Sequence, residues 1–283
     1  MTVGLLAVLG VGLVDPAAPV LQADDAGLTR GDGCFEGCRI RTDPAGHSTV
    51  DKLDAHLARM QRSATALEIA FDVAAWRALV DEALAAWPAP GEAALKLLLT
   101  RGPAGAGPAG LLTISPLPAG YSQQRRDGVR VITLTRGTAA DAFAGSPWLL
   151  GGVKTLSYAV NMAAQREACR RDAHDVIFVS TDGWVLEAPT SSLVWTVGQT
   201  LHTTPLGGTG ILGGTTQQLL FERAPAAGWH TKHALATVAE VRDADSLWLI
   251  GSVRGPVDVV AIDGGPRPRD EARTAGIRAL CGF

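Results

Sequence analysis

The sequence predicts an α+β fold in two domains, and three observations predict it. Two stretches of the first half hold apolar residues at helical spacing, between runs that read as strands. In the second half Asp182-Gly183 stands between two apolar runs, a hairpin signal. Between the halves the composition shifts to small residues and closes on the pair Gly151-Gly152. The expected division is a smaller N-terminal α+β domain over 1–137, an interdomain linker over 138–151 and a larger C-terminal domain over 152–283.

Taken in order, 3–14 is apolar and broken by glycines at 4, 10 and 12, which suits a strand pair and a turn. No basic segment precedes it and Asp15-Pro16 ends it, so it is too short for a membrane span and unlike a signal peptide. Cys34–Ile40 reads as a strand. Asp51–Leu67 places Leu53, Leu57, Met60, Ala64 and Leu67 on one helical face, and Val73–Trp87 does the same with Trp76, Val80 and Leu84 before Pro88 stops it. Strands are expected at 94–100, 111–115 and 129–135, with the Gly/Pro-rich loop 102–110 between the first two. A helix follows over 157–171, then strands at 176–180, 193–197 and 201–204, a helix over 216–227, and strands at 247–251 and 257–262.

Composition narrows the function. With 47% hydrophobic and 19% charged residues the chain can bury a sizeable core. A net charge of −3 and scattered arginines give no electrostatic footprint for nucleic acid. Cys34, Cys38, Cys169 and Cys281 show no metal-ligand spacing and lie apart from the histidines, so no metal is expected and the thiols read as reduced residues of a cytoplasmic protein.

Lysine is scarce. Only Lys52, Lys96, Lys154 and Lys232 carry amines, and Lys154 sits between the glycine pair and a helix start. Desolvation there would favour the neutral amine, the state a nucleophile or base needs. Glu187 follows beyond the hairpin, and then Gly210-Ile211-Leu212-Gly213-Gly214-Thr215-Thr216 runs into a helix. Backbone N–H groups and the positive end of the dipole make such a start suited to an anion. A lysine, a carboxylate and an anion-binding helix start are the protein parts that pyridoxal phosphate needs.

With two further motifs the chain resembles the fold type IV, branched-chain aminotransferase-like family of pyridoxal-phosphate enzymes. Arg30-Gly31-Asp32-Gly33-Cys34-Phe35-Glu36 resembles that family's RGDGxFE motif, and His56-Leu57-Ala58-Arg59-Met60 its HLxRL helix. The resemblance implies a D-amino acid aminotransferase-like architecture and a homodimer acting on a small molecule. It implies that Lys154 is the Schiff-base lysine and that Glu187 partners the pyridine nitrogen. Arg59 would bind the phosphate with Gly214, Thr215 and Thr216. Tyr158 would sit near the ring oxygen, a role that competes with that of a core tyrosine. The chain departs from the family at Thr215-Thr216-Gln217, where many members have Ile-Thr-Arg, and at Ser191-Ser192, where many have Ser-Asn.

Within the family, 152–164, 187–192 and 252–257 resemble aminodeoxychorismate lyases of the actinobacterial group. Such an enzyme would turn 4-amino-4-deoxychorismate into 4-aminobenzoate and pyruvate. That substrate carries two carboxylates, so arginines should line its pocket, and Arg39, Arg101 and Arg254 are the candidates. Two alternatives remain open: an aminotransferase acting on D-amino or branched-chain amino acids, and a non-catalytic protein that kept the fold.

Overall fold

The computed structural model describes residues 3–283, and its contacts divide the chain into two compact units. The first runs to Pro118 and takes in Val153–Tyr158; the second holds Ala119–Gly152 and Ala159–Phe283.

In the first unit the elements are β1 (Leu5–Val8), β2 (Gly12–Val14), α1 (Ala26–Arg30), β3 (Gly33–Thr42), β4 (Ser48–Val50), α2 (Leu53–Ala66), α3 (Val73–Ala85), β5 (Gly91–Thr100) and β6 (Ala109–Pro116). The strands form one antiparallel sheet in the order β2-β1-β6-β5-β3-β4. Alternation sorts β3 and β5 into two faces. Cys34, Cys38, Leu95, Leu97 and Leu99 join Leu57, Met60, Trp76 and Val80 of the helices in a buried core. Each Leu, Met or Val side chain among them contributes roughly 1.5–3 kcal/mol on burial. Phe35, Gly37, Lys96 and Leu98 fall on the opposite face by the register Phe35–Leu98 and Gly37–Lys96.

The second unit contains α4 (Gly120–Asp127), β7 (Val129–Thr135), α5 (Ala159–Arg170), β8 (Asp175–Val179), β9 (Ser192–Val197), β10 (Thr200–Thr203), α6 (Thr215–Arg223), β11 (His230–His233), α7 (Val238–Asp243), β12 (Ser246–Gly251), β13 (Gly255–Ile262), β14 (Gly265–Pro266) and α8 (Glu271–Cys281). Its sheet runs β11-β10-β9-β12-β13-β7-β8, with β14 on β13. The expected hairpin at Asp182-Gly183 forms: around it the Ser180 N–H donates to the Trp184 carbonyl and the Leu186 N–H to the Phe178 carbonyl, and Gly183 has a φ of 91°. Gly183 thus supplies the left-handed backbone that the turn requires.

The strand expected at 129–135 within the first domain belongs to the second sheet, where β7 lies parallel to β8 and β13. Residues 138–151 also cluster with the second unit. An apolar strand pattern reports which faces are buried and carries no label for its neighbour. The sequence reading gave no element to 117–128, yet α4 forms there from Gly-Tyr-Ser-Gln-Gln-Arg-Arg-Asp. It is short and polar, and none of its residues is buried. Among the described residues, no helix is long and apolar enough to cross a membrane.

Candidate active site

Lys154 is presented by main-chain pairing. The Phe35 N–H donates to the Lys154 carbonyl at 3.1 Å and the Leu156 N–H to the Gly33 carbonyl at 2.8 Å, so 153–156 lies along the start of β3. The Lys154 N–H is held by Ser63 Oγ of α2 at 3.2 Å. Its side chain is half-buried. Nζ donates to the Tyr158 hydroxyl at 3.2 Å and lies 4.3 Å from the centroid of the Phe35 ring. Tyr158 meets Phe35 edge-on at 5.0 Å. An ammonium over an aromatic face is held by the ring quadrupole. Tyr158 is therefore neither a core tyrosine nor remote from the lysine; its hydroxyl orients the amine.

One face of α2 carries the next group. His56, Arg59 and Ser63 recur at helical spacing, so the helix that holds the Lys154 backbone also carries the buried Arg59. Glu36 of β3 takes Arg59 bidentately, Nε to Oε1 and Nη2 to Oε2 at 2.7 Å each, and His56 Nδ1 also lies 2.7 Å from Oε2. Burial would raise the Glu36 carboxyl, but the hydrogen bond and charge of Arg59, then those of His56, outweigh it and bring its pKa down to about 2. The neighbouring Cys34 thiol is pushed up to about 12 by burial and by the Glu36 charge, which leaves it unreactive.

The Glu36 network carries a stability prediction. Glu36→Gln should cost about 3 kcal/mol at neutral pH, because it breaks a buried charge pair. The folded-state pKa lies below the usual 4.5, so the contribution is complete above that value and is lost as pH falls toward about 2. Urea unfolding of both proteins should show the gap between them shrinking from pH 7 to pH 3.

In the second unit Glu187 ends the hairpin, its carbonyl accepting from the Phe178 N–H at 2.9 Å. Its Oε2 accepts from the Leu212 N–H at 3.1 Å, which ties the carboxylate to the glycine-rich segment that leads into α6. Asn161 Nδ2 donates to the Pro189 carbonyl at 2.6 Å and steadies the loop after Glu187. Gly214 caps α6 without a side-chain bond. A Cβ on Gly214 would press on the Ser192 hydroxyl, so glycine lets these two segments approach closely without moving that side chain. Ser252 Oγ lies between the hydroxyls of Thr215 and Thr216, at 2.9 and 3.0 Å. Three hydroxyls converging on a helix start with a glycine cap fit a phosphate group.

The arginines expected at the substrate each meet carboxylates of their own unit. Arg39 is buried and bound to Asp51 and Glu92, both at 2.6 Å. Arg101 is exposed, and it pairs with Asp32 at 2.5 Å and caps the Leu67 carbonyl at 2.6 Å. Arg254 is buried against Asp175 at 2.7 Å and Ser191 at 3.1 Å. All three hold the fold together. Lys96 is an exposed cation on the Phe35 face of the first sheet, in register with Gly37 and Thr113. The sequence reading missed both Lys96 and Ser252. A lysine inside the apolar run 93–99 was the available signal for Lys96; for Ser252 it was its place at the head of the 252–257 stretch. A cavity of about 490 Å³ lined by Trp195, His202 and Lys232 includes none of these site residues.

Known proteins share this arrangement of sequence and fold. The family described as amino-transferase class IV matches residues 33–262. The bifunctional aminodeoxychorismate lyase / D-amino acid transaminase of Mycobacterium tuberculosis is 41% identical over 91% of each chain. A hypothetical aminotransferase from Mycobacterium tuberculosis in its PLP-bound form superposes with a TM-score of 0.92 at 39% identity, covering 98% of this chain and 97% of its own. A fold IV-transaminase from Curtobacterium pusillum superposes with a TM-score of 0.91 at 39% identity, covering 99% of each. On these matches, and on a fold that agrees with them along its length, the chain belongs to the class IV amino-transferase family.

Proposed function

We propose that the protein is a pyridoxal-phosphate-dependent carbon–oxygen lyase that converts 4-amino-4-deoxychorismate to 4-aminobenzoate and pyruvate. The observation that carries this reading is the 41% identity, over 91% of both chains, to an enzyme named for that activity. Lys154 is assigned as the Schiff-base lysine and base, Glu187 as the partner of the pyridine nitrogen, and Arg59, Gly214, Thr215, Thr216 and Ser252 as the phosphate site. A homodimer belongs to the same reading, and the exposed Trp148, Leu149 and Val160 support it.

Bound pyridoxal phosphate supplies an aldehyde carbon that an amine can condense with and a ring that takes up electrons. The chain's part is to hold and move protons. The Tyr158 hydroxyl orients the Lys154 amine, which takes the proton from C4 of the substrate. The Glu187 carboxylate keeps the proton on the pyridine nitrogen. As the enolpyruvyl ether bond breaks, Lys154 returns one proton to the departing three-carbon fragment. The substrate divides into 4-aminobenzoate and pyruvate with no water or oxidant consumed, and aromatisation drives it forward.

The test is a product assay with aminodeoxychorismate, run with and without a keto acid. Equal yields of pyruvate and 4-aminobenzoate in both support the lyase; a requirement for keto acid sinks it. A second reading, an aminotransferase acting on D-amino or branched-chain amino acids, is favoured by the second half of that relative's name and by the Curtobacterium transaminase. It predicts that an amino donor alone leaves pyridoxamine phosphate on the enzyme.

Lys96 is assigned to a substrate carboxylate, because it is an exposed cation on the sheet face where the Lys154 amine lies, whereas Arg39 and Arg41 of that face are paired with Asp51. Lys96→Ala should raise KM about tenfold, the worth of one charge-assisted hydrogen bond, with kcat little changed. Steady-state kinetics check it.

A further inference from the structure

The hairpin joining β12 to β13 turns through Ser252, Val253 and Arg254, and Gly255 follows with a φ of 80°. A turn this tight directs the Val253 and Arg254 carbonyls away from the ladder, and buried carbonyls need donors. Arg125 of α4 supplies them. Its Nε donates to the Arg254 carbonyl at 2.6 Å and its Nη2 to the Val253 carbonyl at 3.0 Å. A planar guanidinium fixes two acceptors at once, whereas an ammonium is a point donor. Arg125 is itself held, with its guanidinium 5.1 Å from the centroid of the Phe283 ring. The Arg254 side chain pins the turn from the other side, to Asp175 at 2.7 Å and Ser191 at 3.1 Å. The turn clamped in this way carries the Ser252 hydroxyl that bridges Thr215 and Thr216.

We infer that Arg125 is a positioning residue for phosphate binding: its clamp on the carbonyls of Val253 and Arg254 fixes Ser252 at the start of α6. The inference rests on the assignment of Ser252, Thr215 and Thr216 to the cofactor phosphate. Arg125 itself does not touch the phosphate in this account; it acts through the turn.

Affinity for pyridoxal phosphate and for pyridoxal, which lacks the phosphate, separates this role from a general structural one. Both are titrated into apoenzyme by absorbance, for the native protein, Arg125→Lys, Arg125→Ala and Ser252→Ala, with circular dichroism as a check on folding. Arg125→Lys should weaken pyridoxal phosphate about tenfold and leave pyridoxal within about twofold, the worth of roughly one hydrogen bond. Ser252→Ala should show the same selective loss. An unchanged preference for the phosphorylated ligand in both Arg125 variants overturns the inference, as does an equal loss of both ligands. Full restoration in Arg125→Lys of what Arg125→Ala loses also overturns it, since charge and not the clamp would then be acting. A native protein with no preference for pyridoxal phosphate over pyridoxal would overturn the phosphate-site assignment instead.

Discussion

Lys154→Ala is expected to abolish the covalent attachment of pyridoxal phosphate and to lower turnover by about four orders of magnitude. The lysine has two duties in the proposed reaction, as the amine that carries the cofactor and as the base at substrate C4, and alanine removes both. The local fold should survive. The bonds that place 153–156 along β3 are main-chain bonds, from the Phe35 N–H to the Lys154 carbonyl and from the Leu156 N–H to the Gly33 carbonyl. The measurement is borohydride reduction followed by mass analysis, with the native protein gaining the reduced cofactor at Lys154 and the variant gaining none. A variant that kept a reducible chromophore at another lysine would refute the assignment.

Glu187→Gln is expected to keep cofactor binding and to slow turnover by roughly a hundredfold to a thousandfold. Glutamine is the same size and can still accept the Leu212 N–H that the carboxylate accepts at 3.1 Å. What it lacks is the negative charge that would hold a proton on the pyridine nitrogen. A fall in kcat with an unchanged cofactor titration is the signature of that role. Normal turnover in the variant would count against it.

The residues proposed for this site each carry a local signal in the sequence. Lys154 stood out by scarcity, Glu187 by its place after a hairpin, and the 210–216 segment by glycines before a helix. Arg59 was harder: it lies off the apolar stripe of α2, where an arginine is ordinarily solvated, yet Glu36 draws it into burial through a pairing twenty-three residues away. Long-range pairing also sets what periodicity leaves open. Arg39, Arg101 and Arg254 each had a plausible place at the end of a strand, but the carboxylates that claim them come from other segments. β7 looked like its neighbours in sequence and pairs instead with β13, more than a hundred residues further on. Ser252 gained its place only when a hairpin turn met the start of α6. Periodicity announces which face of an element is buried; it is silent on what arrives from elsewhere to cover it.

The first unit is not continuous in sequence, since Val153–Tyr158 belongs to it and the intervening residues belong to the second. A ribosome that has passed Pro118 has therefore not yet delivered everything the first sheet requires. Until Lys154 and Leu156 emerge, the N–H of Phe35 and the carbonyl of Gly33 lack the partners they have in the finished protein. An open strand edge of that kind invites pairing with another chain. The segment that carries Lys154 is also the one that closes this edge. Nascent chains halted shortly before residue 153 should accordingly be the ones most prone to aggregate.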